Sequence, residues 1–474
     1  MKTKMTNYRW VICAMLFFAT TINYMDRQVL SLTWRDFIAP EFHWTNTHYG
    51  LIASLFTGFY SASMLFAGRL VDWLDTRKGY LWSIGIWSIG ACLHALCGVA
   101  TEYWIGVDSA AALEAVKDVK IVSTIVTVSV TFFVFARLIL AIGEAGNFPA
   151  AIKATAEYFP KKDRAFATSL FNAGAQIGAL IAPLTIPVLA INFGWELAFI
   201  IIGGLGFVWM GVWVFVYKHP EQNPRVNSAE LAYINQDADK AQEVESAYDK
   251  VKLTFAQCMR QRQTWAFIVG KFMTDAVWWF FLFWIPAYLS EVYDIPTSDP
   301  RSQWAIFVLY VISMLSIIGG WLPKYFVDKR GMEPYAGRMR AMLIFAFFPL
   351  LVLAAQPLGV YSYWIPVVII GIAAAAHQSW SANIFTTVSD MFPKSSVGTI
   401  VGIGGMAGGI SSMLINYGSG VLFDYAEQSQ MKFLGFVGVE SGYMILFSIC
   451  SGAYLIGWII MKALVPKYKL VEIN

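Results

Sequence analysis

The chain has 474 residues, of which 57% are hydrophobic and only 14% are charged, and its mean hydropathy is +0.56. This composition excludes an ordinary soluble protein and a disordered one, and it indicates an integral membrane protein. The formal net charge of +3 is too small to indicate a nucleic-acid-binding protein. We therefore expect the lipid bilayer, and no nucleic acid, as a partner.

Apolar windows long enough to cross a membrane recur along the chain in two groups of six, because a transmembrane helix needs roughly 20 apolar residues. The windows lie near 10–30, 48–70, 80–100, 124–146, 165–192, 195–217, 264–289, 302–322, 341–356, 362–388, 398–423 and 438–462. The pattern predicts an all-α integral membrane protein with 12 transmembrane helices in two six-helix halves, at 1–217 and 264–474.

The segment 218–263 between the two halves contains the charged stretch AELAYINQDADKAQEVESAYDK, which cannot cross a membrane. It is predicted to be a cytoplasmic linker with an amphipathic helix. Most Lys and Arg flank the spans on the side of this linker and of both termini, and this excess predicts cytoplasmic termini. The segment 101–121 is predicted to be a solvated outer loop without an assigned role.

The five cysteines lack the paired spacing of a disulfide framework or zinc site. Cys92, His94 and Cys97 share one apolar helix, where such residues belong to the core more often than to a metal site. We expect no metal and no cofactor.

Three of the spans carry an acid and a base together. Span 1 contains Asp26 and Arg27, and span 7 contains Lys271 and Asp275 four residues apart. In span 4, Arg137 and Glu144 are two helical turns apart and project from one face. The pairs of charges can be ion pairs that only fix helix packing. Their number favours a polar interior, because each buried charge costs about 2.5–3.5 kcal/mol unless it faces a partner or water.

Such an interior suits the transport of an organic anion with protons. A buried carboxyl group can bind and release a proton near neutral pH, whereas Arg stays charged and matches a carboxylate in bidentate geometry. Neutralising Asp26 or Glu144 would release an arginine for the anion, which would couple the two ligands.

The loop after span 2, GRLVDWLDTRKG, resembles the G-x-x-x-D-x-x-G-x-[RK] loop of the major facilitator superfamily. The resemblance implies a gating loop that uses Gly68, Asp72 and Arg77. Asp75 stands where the family has Gly, which puts the tight turn in doubt.

Longer runs are similar to the anion:cation symporter branch of this family, and to its hexuronate transporters in particular. They are NYMDR (23–27), RLILAIGEAGNFPAAIKATAEYFPKKDRA (137–165), YKHPEQNPRVNSAELAYI (217–234), FMTDAVWWFFLFWIPAYL (272–289) and AAHQSWSANIFTTVSDMFPKSSVGTIVGIGGMAGG (375–409). The glycine run 402–409 is predicted to allow close packing and flexing of span 11.

The resemblance implies proton-coupled symport of a sugar acid by alternating access. It implies protonation at Asp26 and Glu144, with Arg27 and Arg137 as cavity arginines and Tyr24 and Tyr60 as sugar-binding tyrosines. Further polar or aromatic side chains of the spans are candidate substrate contacts: Asn172, Gln176, Asp275, Trp278, His377, Gln378, Ser381 and Asn383.

Several of these residues have structural alternatives. Tyr60 and Trp278 can anchor the protein at the membrane interface, and His377 can be a packed polar residue. Asn172 and Gln176 can join helices.

The predicted function is transport of galacturonate or glucuronate with protons by a monomer in the bacterial inner membrane. The alternatives are a carrier of another anion, such as an aldonate or aromatic acid, and a non-transporting sensor. A membrane-embedded enzyme is a further alternative that we do not favour. ATP-driven transport is disfavoured, because the sequence has no G-x-x-x-x-G-K-[ST] loop.

Overall fold

The computed structural model describes residues 5–236, 251 and 253–471. Within these residues the regular structure is helical, except for a hairpin in which β1 (Lys432–Phe433) pairs antiparallel with β2 (Phe436–Val437). The predicted all-α fold is thus confirmed.

The helices of the first half and the linker follow the predicted apolar windows closely. They are α1 (Tyr8–Thr33), a π-helical turn (Trp34–Ile38), α2 (Ala39–Phe42), α3 (Asn46–Leu74), α4 (Thr76–His94), α5 (Leu96–Ile105), α6 (Ala110–Glu114), α7 (Val119–Glu144), α8 (Asn147–Tyr158), α9 (Lys161–Phe193), α10 (Trp195–Val216), a 3₁₀ turn (Pro220–Gln222) and α11 (Ser228–Ile234).

In the second half, two spans are interrupted by 3₁₀ turns. The elements are α12 (Phe255–Met259), α13 (Arg262–Tyr293), α14 (Pro300–Ser313), a 3₁₀ turn (Met314–Ile317), α15 (Ile318–Arg330), α16 (Pro334–Phe347), a 3₁₀ turn (Phe348–Ala354), α17 (Ala355–Gly359), α18 (Trp364–Met391), α19 (Lys394–Gln428) and α20 (Val439–Leu464).

Ten helical segments of the described chain are long and apolar enough to cross a membrane, and the pair α4 and α5, bent by 46°, adds an eleventh. The helix α1, which contains Asp26 and Arg27, is not among the ten, although it is 26 residues long. Eleven of the twelve predicted windows coincide with these segments, and the remaining window, 10–30, coincides with α1. The observed spans are therefore consistent with the predicted twelve.

The segment 101–121 is more ordered than the predicted loop. It contains the end of α5, the short α6 and the start of α7. The Ser109 side chain accepts a hydrogen bond from the Ala112 N–H, and Asp118 accepts from the N–H groups of Lys120 and Ile121. Because these side chains satisfy the first N–H groups of each helix, both helices can begin in a polar segment.

The described residues form two compact units, the first within Met1–Thr33, Pro40–His43 and Phe59–Glu245. In this unit α1 packs along α9. A Cβ added to Gly174 or Gly178 of α9 would collide with the carbonyl oxygen of Phe17 or Thr21 in α1. These glycines therefore allow α9 to lie directly against the backbone of α1, which carries the charged run.

The start of α1 is held by the linker, through the buried carboxylate of Glu230. This carboxylate accepts hydrogen bonds from the Thr6 hydroxyl (2.6 Å), the N–H groups of Tyr8 and Arg9 (3.0 Å each) and the Arg9 guanidinium (3.1 Å). A carboxylate here satisfies free N–H groups and complements the helix dipole. Among the described residues of the predicted linker, α11 and α12 are helical, and most of the charged stretch, 237–250, lies outside the described residues.

The second unit lies within Trp34–Ala39, Trp44–Gly58 and Ser246–Asn474. Its centre is α13, which packs against α19 and α20. A Cβ on Gly404 would meet the ring of Phe267, and one on Gly408 would meet the carboxylate of Asp275. The predicted close packing is therefore present at Gly404 and Gly408, whereas a Cβ on Gly405 would meet no atom within 4 Å.

Within this unit, three acidic side chains fix the segments 34–39 and 44–58. Asp36 accepts hydrogen bonds from the Ser290 hydroxyl (2.9 Å) and from the N–H of Thr297 (2.6 Å). Asp424 accepts from the N–H groups that begin α3, and Glu291 pairs with Arg35 at 3.3 Å. Polar contacts, rather than apolar burial alone, therefore hold these segments.

Candidate functional site

A buried ion pair joins Arg27 of α1 to Glu144 of α7 within the first unit. The distance from Arg27 Nε to Glu144 Oε2 is 2.6 Å, and the side chains are 3% and 0% exposed. Glu144 Oε1 has no hydrogen-bond partner among the described residues. A buried ion pair of this kind is stable only if each charge stays paired, either with the other charge or with a ligand that replaces it.

Two tyrosine rings flank the guanidinium of Arg27. Its Cζ atom lies 4.9 Å from the ring centroid of Tyr24 and 4.5 Å from that of Tyr60. The aromatic faces attract the cation and hold its planar fork in one orientation. Tyr60 is 9% exposed, so its burial beside Arg27 favours the predicted site over the interfacial anchor.

Asp26 and Arg137 belong to the same charged cluster. Both are 2% exposed, and Asp26 interacts electrostatically with Arg137 and Glu144. Neither carboxylate oxygen of Asp26 has a hydrogen-bond partner within the described part of the chain. Because an unpaired buried carboxylate is costly, a proton or a ligand has to satisfy it.

Three buried polar side chains near these charges were not predicted as site residues, although the sequence analysis assigned one of them, His94, to the core. The Asn23 amide and Gln28 Nε2 have no hydrogen-bond partner among the described residues, and the same holds for His94 Nε2. The other ring nitrogen of His94 lies 2.7 Å from the Gly90 carbonyl oxygen, and the ring stacks on Phe199. Asn23 and Gln28 flank Asp26 and Arg27 in sequence, and this proximity could have identified them as candidate site residues.

The second unit contains its own ion pair, between the buried Lys271 and the half-buried Asp275 of α13. The predicted contact is present, with 2.7 Å between Lys271 Nζ and Asp275 Oδ2. Lys271 Nζ also lies 4.5 Å from the ring centroid of Phe385. The amine and the carboxylate thus satisfy each other, and Asp275 packs against Gly408.

Trp278 of α13 stacks on His377 of α18, with centroids 5.2 Å apart and ring planes 9° from parallel. His377 Nδ1 lies 2.8 Å from the Tyr454 hydroxyl oxygen. These contacts place Trp278 against a polar partner inside the unit, which counts against an interfacial anchor. His377 thus packs against Trp278 and Tyr454, as expected for a packed polar residue. Its ring and that of Trp278 form a stacked aromatic pair.

The remaining polar candidates differ in what they contact. The amide nitrogen of Asn383 donates to the carbonyl oxygens of Gly319 and Ser379, at 2.8 Å each. Asn383 therefore joins α18 to α15, and its donors are used in packing. Gln378, Ser381 and Gln176 are half-buried, and Asn172 is exposed.

The candidate gating loop contains the doubtful turn. Asp75 adopts φ 70° and ψ 153°, and its carbonyl oxygen accepts a hydrogen bond from the Gly79 N–H at 2.7 Å. Asp75 therefore has the positive φ that favours Gly, and its carbonyl oxygen accepts the first hydrogen bond of α4. Gly68 is half-buried in α3, Arg77 donates to the Val214 carbonyl oxygen, and the side chain of Asp72 lies outside the described structure.

Outside the spans, Glu41 is a buried acid that the sequence did not single out. Its Oε2 accepts a hydrogen bond from the Trp195 indole N–H at 2.8 Å. Burial raises the pKa of Glu41 to about 7, and nearby Glu196, Glu102 and Glu114 act in the same direction against the Trp195 hydrogen bond.

The cluster of the first unit can hold an anion and exchange protons. Arg27 and Arg137 are fixed cations, while Asp26 and Glu144 are acids that can change charge. Within the described ranges, no group of three or more His, Cys, Asp or Glu side chains is placed to hold a metal ion.

Two sequence relatives are transporters of sugar acids. The chain is 26% identical over 422 residues to the hexuronate transporter of Escherichia coli K12, covering 89% of each chain. It is also 26% identical over 424 residues to the probable galactarate/D-glucarate transporter of the same organism, covering 87% of this chain and 88% of the relative.

The fold is similar to that of a bacterial homologue of the human lysosomal transporter Spinster, crystallised in an inward-facing and unoccupied conformation. The TM-score is 0.71 at 17% identity, and the match covers 97% of this chain and 98% of the other. The sequence model of the Major Facilitator Superfamily matches residues 16–416. The chain therefore belongs to the Major Facilitator Superfamily, as a multi-pass membrane transporter and not an enzyme.

Proposed function

We propose that this transporter carries hexuronates, such as galacturonate or glucuronate, together with protons. The observation that carries the proposal is the buried pair of Arg27 and Glu144, with Asp26 and Arg137 in the same cluster. The similarity to a hexuronate transporter at 26% identity supports the substrate class.

The coupling follows from competition for one cation. When Glu144 is ionised, it occupies the Arg27 guanidinium at 2.6 Å. When Glu144 takes up a proton, the guanidinium loses its anion, and the carboxylate of a sugar acid can bind in its place. Proton binding therefore favours substrate binding, and substrate binding favours the proton.

The other predicted residues have supporting roles. Tyr24 and Tyr60 orient Arg27 and supply hydroxyl groups for the sugar. Asp275, Trp278, His377, Gln378 and Ser381 stay proposed substrate contacts, as do Asn172 and Gln176. Asn383 is the weakest of the set, because both bonds of its amide nitrogen go to backbone oxygens.

We further propose a bacterial inner-membrane location with both termini in the cytoplasm, because Lys and Arg flank the spans mainly on that side. The proposed mechanism is alternating access by a monomer, in which Gly68, Asp72 and Arg77 belong to the gating loop.

Uptake by proteoliposomes tests the proposal. Labelled galacturonate should accumulate when the outside is acidified, and unlabelled glucuronate should compete for uptake. Binding without accumulation would indicate a sensor instead. Uptake that does not respond to the pH gradient would contradict proton coupling.

Sugar diacids are the second candidate substrates, because the chain is equally identical to a probable galactarate/D-glucarate transporter. Competition by galactarate, by an aldonate and by an aromatic acid in the same assay separates the candidates. Stronger competition by galactarate than by glucuronate would reassign the substrate class.

A further inference from the structure

A basic cavity of about 310 Å³ lies beside the start of α13 and the end of α20. Four of its lining residues are cationic, and none of those the structure describes is acidic. The cationic lining residues are Arg260, Arg262, Lys467 and Lys469.

Hydrogen bonds fix the tail that forms one wall of this cavity. Gln263 Nε2 of α13 donates to the Lys469 carbonyl oxygen at 3.1 Å. The Tyr468 hydroxyl donates to the Asp390 carbonyl oxygen, and the Val471 N–H to that of Met391, at 3.0 Å each. The tail that carries Lys467 is therefore held in place against α13 and α18.

The chemistry of the lining selects a compact anion with several oxygens. Arg260 and Arg262 offer planar forks that match phosphate, and the two lysines add point charges. The helix α13 begins at Arg262, so the positive end of its dipole lies beside the cavity and adds to the attraction for an anion. The volume is at the small end of the roughly 300–1,000 Å³ range of ligand cavities, which suits a headgroup.

The position of the cavity indicates a lipid as the source of this anion. Two membrane-spanning segments end at it, since one begins at Arg262 and another ends at Leu464. Exposed apolar side chains lie next to the cations, with Trp265 and Leu470 each 45% exposed. Aromatic side chains of this kind belong at the membrane–water interface, where a headgroup and its acyl chains meet.

We propose that the cavity binds the phosphate headgroup of an anionic phospholipid, such as phosphatidylglycerol. The four cations contact the headgroup, and the acyl chains lie along the apolar surface next to Trp265. Basic pockets between transmembrane helices bind such headgroups on the cytoplasmic side, to which the proposed orientation assigns this cavity. The site is separate from the proposed transport residues.

Binding of fluorescent phosphatidylglycerol to the purified, delipidated full-length protein tests the proposal. The wild type should prefer phosphatidylglycerol to phosphatidylcholine at least tenfold. The double variants R260Q/R262Q and K467Q/K469Q should each bind phosphatidylglycerol roughly 30-fold more weakly, because each cation contributes about fivefold.

The matched control is K329Q/R330Q, which removes two exposed cations at the end of α15, outside the cavity. It should bind as the wild type does. Equal affinities of the wild type for the two lipids would overturn the proposal without any variant. Unchanged binding by the cavity variants would also overturn it, and so would inorganic phosphate that displaces the lipid at equal concentration.

Discussion

Replacing Glu144 by Gln removes the charge that faces Arg27 and keeps the shape of the side chain. Arg27 Nε and Glu144 Oε2 are 2.6 Å apart, and both side chains are at most 3% exposed. Breaking such a buried pair costs about 3–5 kcal/mol when one charge stays behind. The Gln oxygen can still accept a hydrogen bond, so the protein should fold, with a lone cation that a substrate carboxylate can satisfy.

The expected consequence is loss of coupling with retained binding. At zero membrane potential each coupled proton supports about tenfold accumulation of substrate per unit of pH gradient, because one unit corresponds to about 1.4 kcal/mol. Removal of Glu144 removes its share of this accumulation. Galacturonate should still bind, with an affinity that no longer falls as Glu144 ionises and competes for Arg27.

Proteoliposomes with the membrane potential clamped provide the assay. Wild type and the control variant D108N, which changes an exposed acid, should accumulate galacturonate at least tenfold across a gradient of one pH unit. The E144Q variant should exchange labelled for unlabelled galacturonate without net accumulation. Normal accumulation by E144Q would refute the role of Glu144, and loss of both accumulation and exchange would refute the competition for Arg27.

Three further substitutions test other parts of the structure. R27K should weaken galacturonate binding about tenfold in equilibrium binding, because Lys keeps the charge but loses the bidentate fork between Tyr24 and Tyr60; unchanged affinity would move the anion site elsewhere. The folded protein binds the Glu41 proton more tightly than the unfolded chain does, so wild-type stability should fall by roughly 3 kcal/mol as the pH rises from about 4.5 to about 7. Thermal unfolding of E41Q should lack this fall, and an identical pH profile would contradict the burial of Glu41. D75G should raise the free energy of unfolding by about 1 kcal/mol, because Asp75 has φ 70° and ψ 153°, a conformation that favours Gly; a lower melting temperature would show that the Asp side chain stabilises the turn.

The spans were predictable because hydrocarbon imposes a length and an apolar composition on each helix. The exceptions have identifiable causes. The start of α7 inside the predicted outer loop depends on a cap by Asp118, which apolar windows do not detect. The short α11 and the capping of α1 by Glu230 depend on a contact between residues more than 200 positions apart.

The charged residues of the candidate site were predictable as a set, because a charge inside a span needs a partner. Spacing within one helix predicted the pairing of Lys271 with Asp275. It did not predict that Arg27 pairs with Glu144 while Asp26 keeps no hydrogen-bond partner among the described residues. That choice depends on how α1 and α7 face each other, which periodicity within each helix does not determine.

Proton movement during uptake tests the central claim, that buried acids and arginines couple sugar acid to protons. Galacturonate is added to weakly buffered proteoliposomes, and a pH electrode records the external solution. Wild type should make this solution more alkaline as the substrate enters, whereas E144Q should leave the external pH unchanged. Substrate uptake by the wild type with no change in external pH would contradict the account.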